Sequence, residues 1–139
     1  NYNLNNSHFF PAIIKKINEV KNKKNKNIYL WGDGQAKREV IFVDDLADAI
    51  IRSINYFDEL PKYMNIGSGV DMTINEYYKE VAKVIGYTGN FAHDETKPVG
   101  MIRKLVNTDT QIKLGWQPKT SLEVGLQKTY EFYLNEIAK

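Results

Sequence analysis

Ile28-Tyr-Leu-Trp31, Gly32-Asp-Gly-Gln-Ala-Lys-Arg38 and Val40-Ile-Phe-Val43 run consecutively, and their reading decides the fold. Two short apolar runs rich in β-branched and aromatic residues, separated by a glycine-containing stretch, predict two strands joined by a loop. Asp44 and Asp45 then stand where an acidic residue caps a helix and meets its positive end, and Leu46, Ala49, Ile50 and Ile54 follow at helical spacing. Upstream, Phe10, Ile13, Ile14, Ile17 and Val20 predict a helix with Ser7 as its cap and Pro11 in its first turn, after the polar segment Asn1 to Ser7. This helix should fade in the lysine and asparagine run that follows. Downstream, Tyr63-Met-Asn-Ile66 reads as a strand that ends in the turn Gly67-Ser-Gly69. Thr73 and Glu76 have the spacing of a capping box, and Gly86 closes the helix they open, whose apolar face is Tyr77, Val81, Val84 and Ile85. A strand near Asn90 to His93 comes next, followed by a short helix over Asp109 to Leu114, stopped by Gly115. Thr120 and Glu123 make a second capping box before a last helix that buries Leu122, Leu126, Tyr130 and Tyr133. The order is that of a mixed α/β chain, read as one region over residues 1–139, with neither repeats nor a linker.

Composition narrows the function classes. A chain of 139 residues that is 42% hydrophobic and 26% charged can bury a core of its own. No apolar run reaches the roughly 20 residues that span a bilayer, and the start lacks the features of a signal peptide, so no membrane partner is expected. The absence of cysteine excludes disulfides, thiolate metal sites and a cysteine nucleophile within these residues, and it suits a reducing cytoplasm. No metal site is expected. A net charge of +2 is too small to announce nucleic-acid binding. The early cluster Lys15, Lys16, Lys21, Lys23, Lys24 and Lys26 is interleaved with asparagine rather than with stacking aromatics, which describes a solvated helix end.

A dinucleotide-binding half requires a strand, a glycine-rich turn and a helix whose amino terminus faces the pyrophosphate. No stretch has that order. Gly32-Asp-Gly34 lies between predicted strands, and Gly67-Ser-Gly69 reads as a turn. Nor is there a Tyr-x-x-x-Lys pair: Tyr29 is followed by Asp33, and Tyr63 and Tyr87 have no such partner.

Read together, Asn6-Ser-His-Phe-Phe-Pro-Ala-Ile-Ile14, Leu30-Trp-Gly-Asp-Gly34, Lys37-Arg-Glu39, Phe42-Val-Asp-Asp-Leu-Ala47, Asn65-Ile-Gly-Ser-Gly69, Lys97-Pro98, Arg103-Lys-Leu105, Leu114-Gly-Trp116 and Ser121-Leu-Glu123 closely resemble the GDP-L-fucose synthase family of extended short-chain dehydrogenases/reductases. The resemblance covers nearly the whole chain. It implies the carboxyl-terminal, substrate-binding part of such an enzyme, a mixed small sheet with helices, without the amino-terminal glycine-rich Rossmann half. The implied activity of the full-length protein is epimerisation of GDP-4-keto-6-deoxy-mannose and NADPH-dependent reduction of its keto group. NADPH, the Tyr-x-x-x-Lys pair and a cysteine acid/base would belong mainly to a half upstream of these residues. The full-length protein is then expected to be a cytoplasmic homodimer, and these residues alone to be inactive.

The same resemblance assigns site residues. His8 matches the family's acid/base histidine, which also lies near the cofactor. An imidazole can take a proton beside a carbonyl or deliver one near neutral pH. Lys16, Trp31 and Arg38 match positions that hold the GDP-sugar, and Lys104 is a further diphosphate candidate. Lysine and arginine neutralise a diphosphate and tryptophan offers a flat apolar surface. Without the resemblance these would read as a helix cap, a solvated lysine, a core aromatic and an ion pair of Arg38 with Glu39. One position departs. The family's Lys-Pro-Asp-Gly-Thr-Pro-Arg-Lys is here Lys97-Pro-Val-Gly-Met-Ile-Arg-Lys104, which puts Val99 where an acid would accept hydrogen bonds from substrate. A GDP-heptose or another GDP-hexose is therefore an alternative substrate, and a stand-alone nucleotide-binding or interaction module is the alternative from another class.

Overall fold

Ile13, Ile14 and Ile17, spaced to fall on one side of a helix, are all essentially inaccessible to solvent and orient α1 (Phe9–Lys21). In the computed structural model, which describes residues 2–3, 7–21, 23 and 27–137, ten further elements follow. They are β1 (Asn27–Trp31), β2 (Lys37–Glu39), α2 (Val43–Asn55), a 3-10 turn (Phe57–Glu59), β3 (Asp71–Thr73), α3 (Ile74–Ile85), β4 (Asn90–Asp94), β5 (Arg103–Lys104), α4 (Asp109–Lys113) and α5 (Leu122–Ile137). The strands form two small sheets, a parallel β1-β4 pair and a β3-β2-β5 sheet that is antiparallel on one side of β2 and parallel on the other.

α3 lies at the centre. It packs on both α1 and α5, and its Tyr77, Tyr78, Val81, Ala82 and Ile85 join the α1 isoleucines, Ile28 and Leu30 of β1, and Leu126 and Tyr133 of α5 in one core. Each fully buried aliphatic or aromatic side chain contributes roughly 1.5–3 kcal/mol. Phe9 and Phe10 flank Tyr77 at 5.6 Å each, and the Tyr77 hydroxyl donates to the Arg38 carbonyl at 2.8 Å. The expected Thr73–Glu76 capping box forms, and Gly86 closes α3 at φ 74°. The last helix buries Leu126 and Tyr133 of the expected stripe and packs Leu122 and Tyr130, half-buried, against them, and β4 appears where a strand was expected.

Several expectations are corrected. The second strand is β2 at Lys37–Glu39; Val40–Phe42 leads directly into α2, and β1 and β2 lie in different sheets. Tyr63–Ile66 is not a strand. The adjoining Gly67 gives its amide to Gln111 Oε1 at 2.9 Å and its carbonyl to Gln111 Nε2 at 2.8 Å, so a side chain takes the place of a ladder there. Asp44 and Asp45 do not cap α2, whose N-cap is Phe42 without a side-chain bond. Asp45 instead accepts from the Thr120 amide at 3.0 Å. That bond shifts the second cap by one residue, to Ser121, whose Oγ accepts from the Val124 amide at 3.3 Å. Ser7 Oγ is buried without a partner, so it caps nothing. β3 and β5, of three and two residues, were not foreseen. Asn6 of the quoted motif, with Asn1, Leu4 and Asn5 of the polar start and Lys24 and Lys26 of the lysine run, lies outside the described residues.

The largest departure concerns α2. Of its anticipated apolar stripe only Ala49 is buried and Leu46 half-buried, while Ile50 and Ile54 are 52% and 69% exposed. Its inward face is polar: Asp45 binds Thr120, Asp48 accepts from the Trp116 indole at 2.8 Å, and Arg52 donates to the Leu114 carbonyl at 3.0 Å.

Burial pushes the Tyr77 and Tyr78 phenols up to about 12, whereas a phenol in the unfolded chain ionises near 10. The folded state therefore keeps protons that the unfolded state loses, and stability should be full below about pH 10 and fall from there to about pH 12. Urea unfolding across that range should show the fall. Tyr77→Phe should shallow it and lower neutral-pH stability by about 1 kcal/mol for the lost hydrogen bond.

Candidate functional site

Alternation along β1 buries Ile28 and Leu30 and turns Asn27, Tyr29 and Trp31 outward, leaving the Trp31 indole 60% exposed. Two ammonium groups approach it. Lys16 Nζ, from α1, lies 5.7 Å from the ring centroid, and Lys97 Nζ lies 5.9 Å from it. An indole face attracts a cation by roughly 0.5–1 kcal/mol at an exposed site, enough to orient both chains without neutralising either. Burial lowers the Lys16 pKa from the ordinary lysine value. Lys15, its neighbour, is instead paired with Glu19 at 3.7 Å; local pairing thus separates two lysines that composition could not.

Lys97 owes its place to sheet register. Trp31 sits opposite Asp94 in the parallel β1-β4 pair, and the Asp94 carbonyl accepts from the Gly32 amide at 2.9 Å and from the Lys97 amide at 3.1 Å. The segment 97–102 then drapes over the end of β1 and along β2. Val99 rests on Gly32, where an added Cβ would come 2.8 Å from Val99 Cγ2, and Gly32 has φ +66°. Arg38 Nη1 donates to the Met101 carbonyl at 2.7 Å and the Lys37 carbonyl at 2.6 Å. β5 pairs Lys104 with Arg38.

The structure thus brings Lys16, Trp31, Arg38, Val99 and Lys104 onto one connected surface and adds Lys97. Arg103 belongs elsewhere: it is forked onto Asp71 at 2.6 and 3.2 Å and holds that carboxyl below the usual carboxylate range. Glu39 does not pair with Arg38, because its oxygens accept from Ser68, Gly69 and Val106. Among the described residues the ion pairs join Lys15 to Glu19, Lys83 to Glu80 and Arg103 to Asp71, so Lys16, Arg38, Lys97 and Lys104 are in none of them; the Asp94 carboxyl, held below its usual range by its bonds to Thr96, is lowered further by the charge of Lys97. His8 stands apart. It is exposed just ahead of α1, about 12 Å along the helix axis from Lys16. Nothing in the local sequence singles out Lys97, because only the β1-β4 register shows which ring the lysine faces.

Residues 1–67 match the model of the NAD dependent epimerase/dehydratase family. Over 135 residues the chain is 46% identical to GDP-L-colitose synthase of Yersinia pseudotuberculosis, a match that covers 97% of this chain and 44% of that protein. Over 139 residues it is 41% identical to GDP-L-fucose synthase of Azorhizobium caulinodans, covering 99% and 45%. Residues 1–67 thus carry the sequence signature of the NAD dependent epimerase/dehydratase family. The chain spans less than half the length of these curated relatives. The fold agrees: the crystal structure of a GDP-D-glycero-L-gluco-heptose synthase from Campylobacter jejuni, obtained in the presence of NADPH, superimposes with a TM-score of 0.83 at 26% identity, covering 96% of this chain and 49% of that one.

The family name implies a nicotinamide cofactor, and the described glycine turns do not fit its pyrophosphate. The Gly32–Gly34 turn leads to a strand, not to a helix amino terminus. The Gly67 amide is occupied by Gln111 and the Gly69 amide, at 2.7 Å, by the Glu39 carboxylate, an acid that would repel a phosphate.

Gly32→Ala forces both a left-handed alanine and a clash with Val99. It should cost about 1–2 kcal/mol from the backbone alone, read as a lower urea midpoint. A Gly32→Ala, Val99→Ala double variant should recover only the steric part.

Proposed function

We propose that this chain is the GDP-sugar-binding region of an NADPH-dependent epimerase/reductase of the GDP-L-fucose synthase type, its 139 residues acting as one unit. The observation that carries this reading is the exposed Trp31 ring with Lys16 and Lys97 over it, linked through the 97–102 segment to Arg38 and Lys104, with none of the four cations ion-paired among the described residues. A diphosphate supplies the missing negative charge, and a guanine or sugar ring supplies an apolar face for the indole. Arg38 keeps Nε and Nη2 for phosphate oxygens while Nη1 is held by carbonyls. His8 is the acid/base of epimerisation and lies at the nicotinamide side of the site. It moves a proton between the carbon beside the sugar's carbonyl and the medium. NADPH supplies the hydride for keto reduction and is bound mainly by the remainder of a longer protein, which is a cytoplasmic homodimer. The 139 residues alone bind substrate and do not turn it over.

Val99 bears on the sugar. Its methyl group packs on Gly32 and offers no acceptor for a sugar hydroxyl, which keeps a GDP-sugar other than GDP-4-keto-6-deoxy-mannose, such as a GDP-heptose, as the alternative substrate. Turnover of a panel of GDP-4-keto sugars by the full-length protein tests this. Restriction to the 6-deoxy-mannose derivative would exclude the broader reading, and GDP binding without turnover of any sugar would favour a binding module.

Arg38→Ala should weaken GDP binding about 10- to 100-fold by calorimetry, the range of a charge-assisted hydrogen bond. Equal affinity in the variant would remove the contact. GDP binding needs Lys16 protonated, and burial lowers its pKa. Affinity should therefore be full below the lowered pKa and decline as pH rises through it, beginning below the ordinary lysine range. Lys16→Arg should abolish that early decline. In the full-length protein, His8→Gln should slow solvent-proton exchange at the sugar far more than it weakens NADPH binding, as followed by deuterium incorporation.

A further inference from the structure

The turn that follows Trp31 is held from outside by a pair of side chains with no part in the site described above. Asn75, in the first turn of α3, donates from Nδ2 to the Asp33 carbonyl at 3.1 Å. Its backbone amide donates to the Gly34 carbonyl at 3.0 Å. A carbonyl can only accept, so the Asp33 bond fixes which end of the amide is nitrogen, and Oδ1 must face His93 Nε2, 2.8 Å away. His93 Nε2 is then the protonated ring nitrogen, donating to Asn75. The fit is close: Gly34 has φ +69°, and a Cβ there would lie 2.1 Å from Asn75 Oδ1. Only glycine leaves room for the Asn75 amide against the backbone.

These bonds join three elements at one point. His93 is on β4, opposite Leu30 and one residue before the Asp94 that faces Trp31. Asn75 opens α3, the most buried helix of the core. The Asp33–Gly34 segment is the continuation of β1 beyond Trp31. Its inner side is held by the Gly32 amide on Asp94 and by Val99 on Gly32; Asn75 and His93 hold its outer side. A turn of two left-handed glycines has no intrinsic preference for one conformation, so its single geometry comes from these contacts.

We propose that Asn75, braced by His93, is a positioning residue of the nucleotide-sugar site: it clamps the Gly32–Gly34 turn and so sets the Trp31 ring at the place between Lys16 and Lys97 where a nucleotide base or sugar stacks. The inference rests on the GDP-sugar reading. A ring displaced by even about 1 Å loses stacking and alignment that no other described residue restores.

The sequence holds two tryptophans, so the chain gives two indole N–H signals in nitrogen-15 NMR. Trp116, buried and bonded to Asp48, is an internal reference. In Asn75→Ala the Trp31 signal should shift or broaden while the Trp116 signal stays, and GDP affinity should fall about tenfold. His93→Ala alters an exposed strand position and removes the brace alone, so it should give the same changes at roughly threefold. Wild-type Trp31 position and wild-type GDP affinity in both variants would overturn the proposal. So would a displaced Trp31 with unchanged affinity, because the clamp would then serve the fold and not the site. Failure of GDP to bind the wild-type chain or perturb its Trp31 signal would overturn the GDP-sugar reading itself, and the wild-type titration alone reveals that outcome.

Discussion

The Glu39 carboxylate holds three separate stretches of chain together. One oxygen accepts from the Gly69 amide at 2.7 Å and the Ser68 hydroxyl at 3.2 Å, and the other accepts from the Val106 amide at 3.0 Å. Bonds to an ionised carboxylate are worth roughly 1.5–3 kcal/mol each. Close approach is possible because residue 67 is glycine, where a Cβ would stand 2.5 Å from Glu39 Oε1 and from Val106. Glu39 ends β2, the middle strand of the three-stranded sheet. By tying the 67–69 turn and the segment after β5 to that strand, it fixes the register that sets Lys104 beside Arg38. Tyr77, donating to the Arg38 carbonyl, connects the same strand to the core.

The site is an electrostatic surplus built on a rigid base. Several charged side chains elsewhere are taken up within the protein: Asp71 by Arg103, Asp45 by Thr120, Asp48 by Trp116, Lys15 by Glu19. Lys16, Arg38, Lys97 and Lys104 are in no ion pair among the described residues, and the proposed diphosphate site rests on that. The geometry that gathers them is mostly backbone: a parallel strand pair brings Lys97 to Trp31, a second brings Lys104 to Arg38, and carbonyls hold Arg38 by one nitrogen. Val99 contributes contact without charge, and it leaves the region more cationic than an aspartate at that position would.

α2 shows how far polarity alone can mislead. Its apolar residues recur at helical spacing, as those of α1 do, yet α1 turns that stripe inward and α2 turns it outward. The difference lies in partners distant in sequence. Trp116, Thr120 and the Leu114 carbonyl present polar groups to α2, where buried Asp45, half-buried Arg52 and exposed Asp48 pair with them, so that the polar groups withdrawn from water there are satisfied.

By itself the sequence determined what depends on near neighbours: the isoleucine stripe of α1, the Thr73–Glu76 capping box, the αL glycine after α3 and the alternating burial of β1. These follow from propensity and periods within a few residues. The family was also legible, because its motifs recur in order along the chain. Tertiary structure alone decided which strands pair, that Val40–Phe42 is not a strand, which face of α2 is buried and which of the many lysines meet Trp31. Each of those outcomes depends on hydrogen-bond partners tens of residues away, such as Gln111 for Gly67 and Asp94 for Gly32. A local pattern contains no record of the group that will lie opposite it. The Trp31 site follows this division: the ring and its cations are written in the sequence, and their meeting is written only in the sheet.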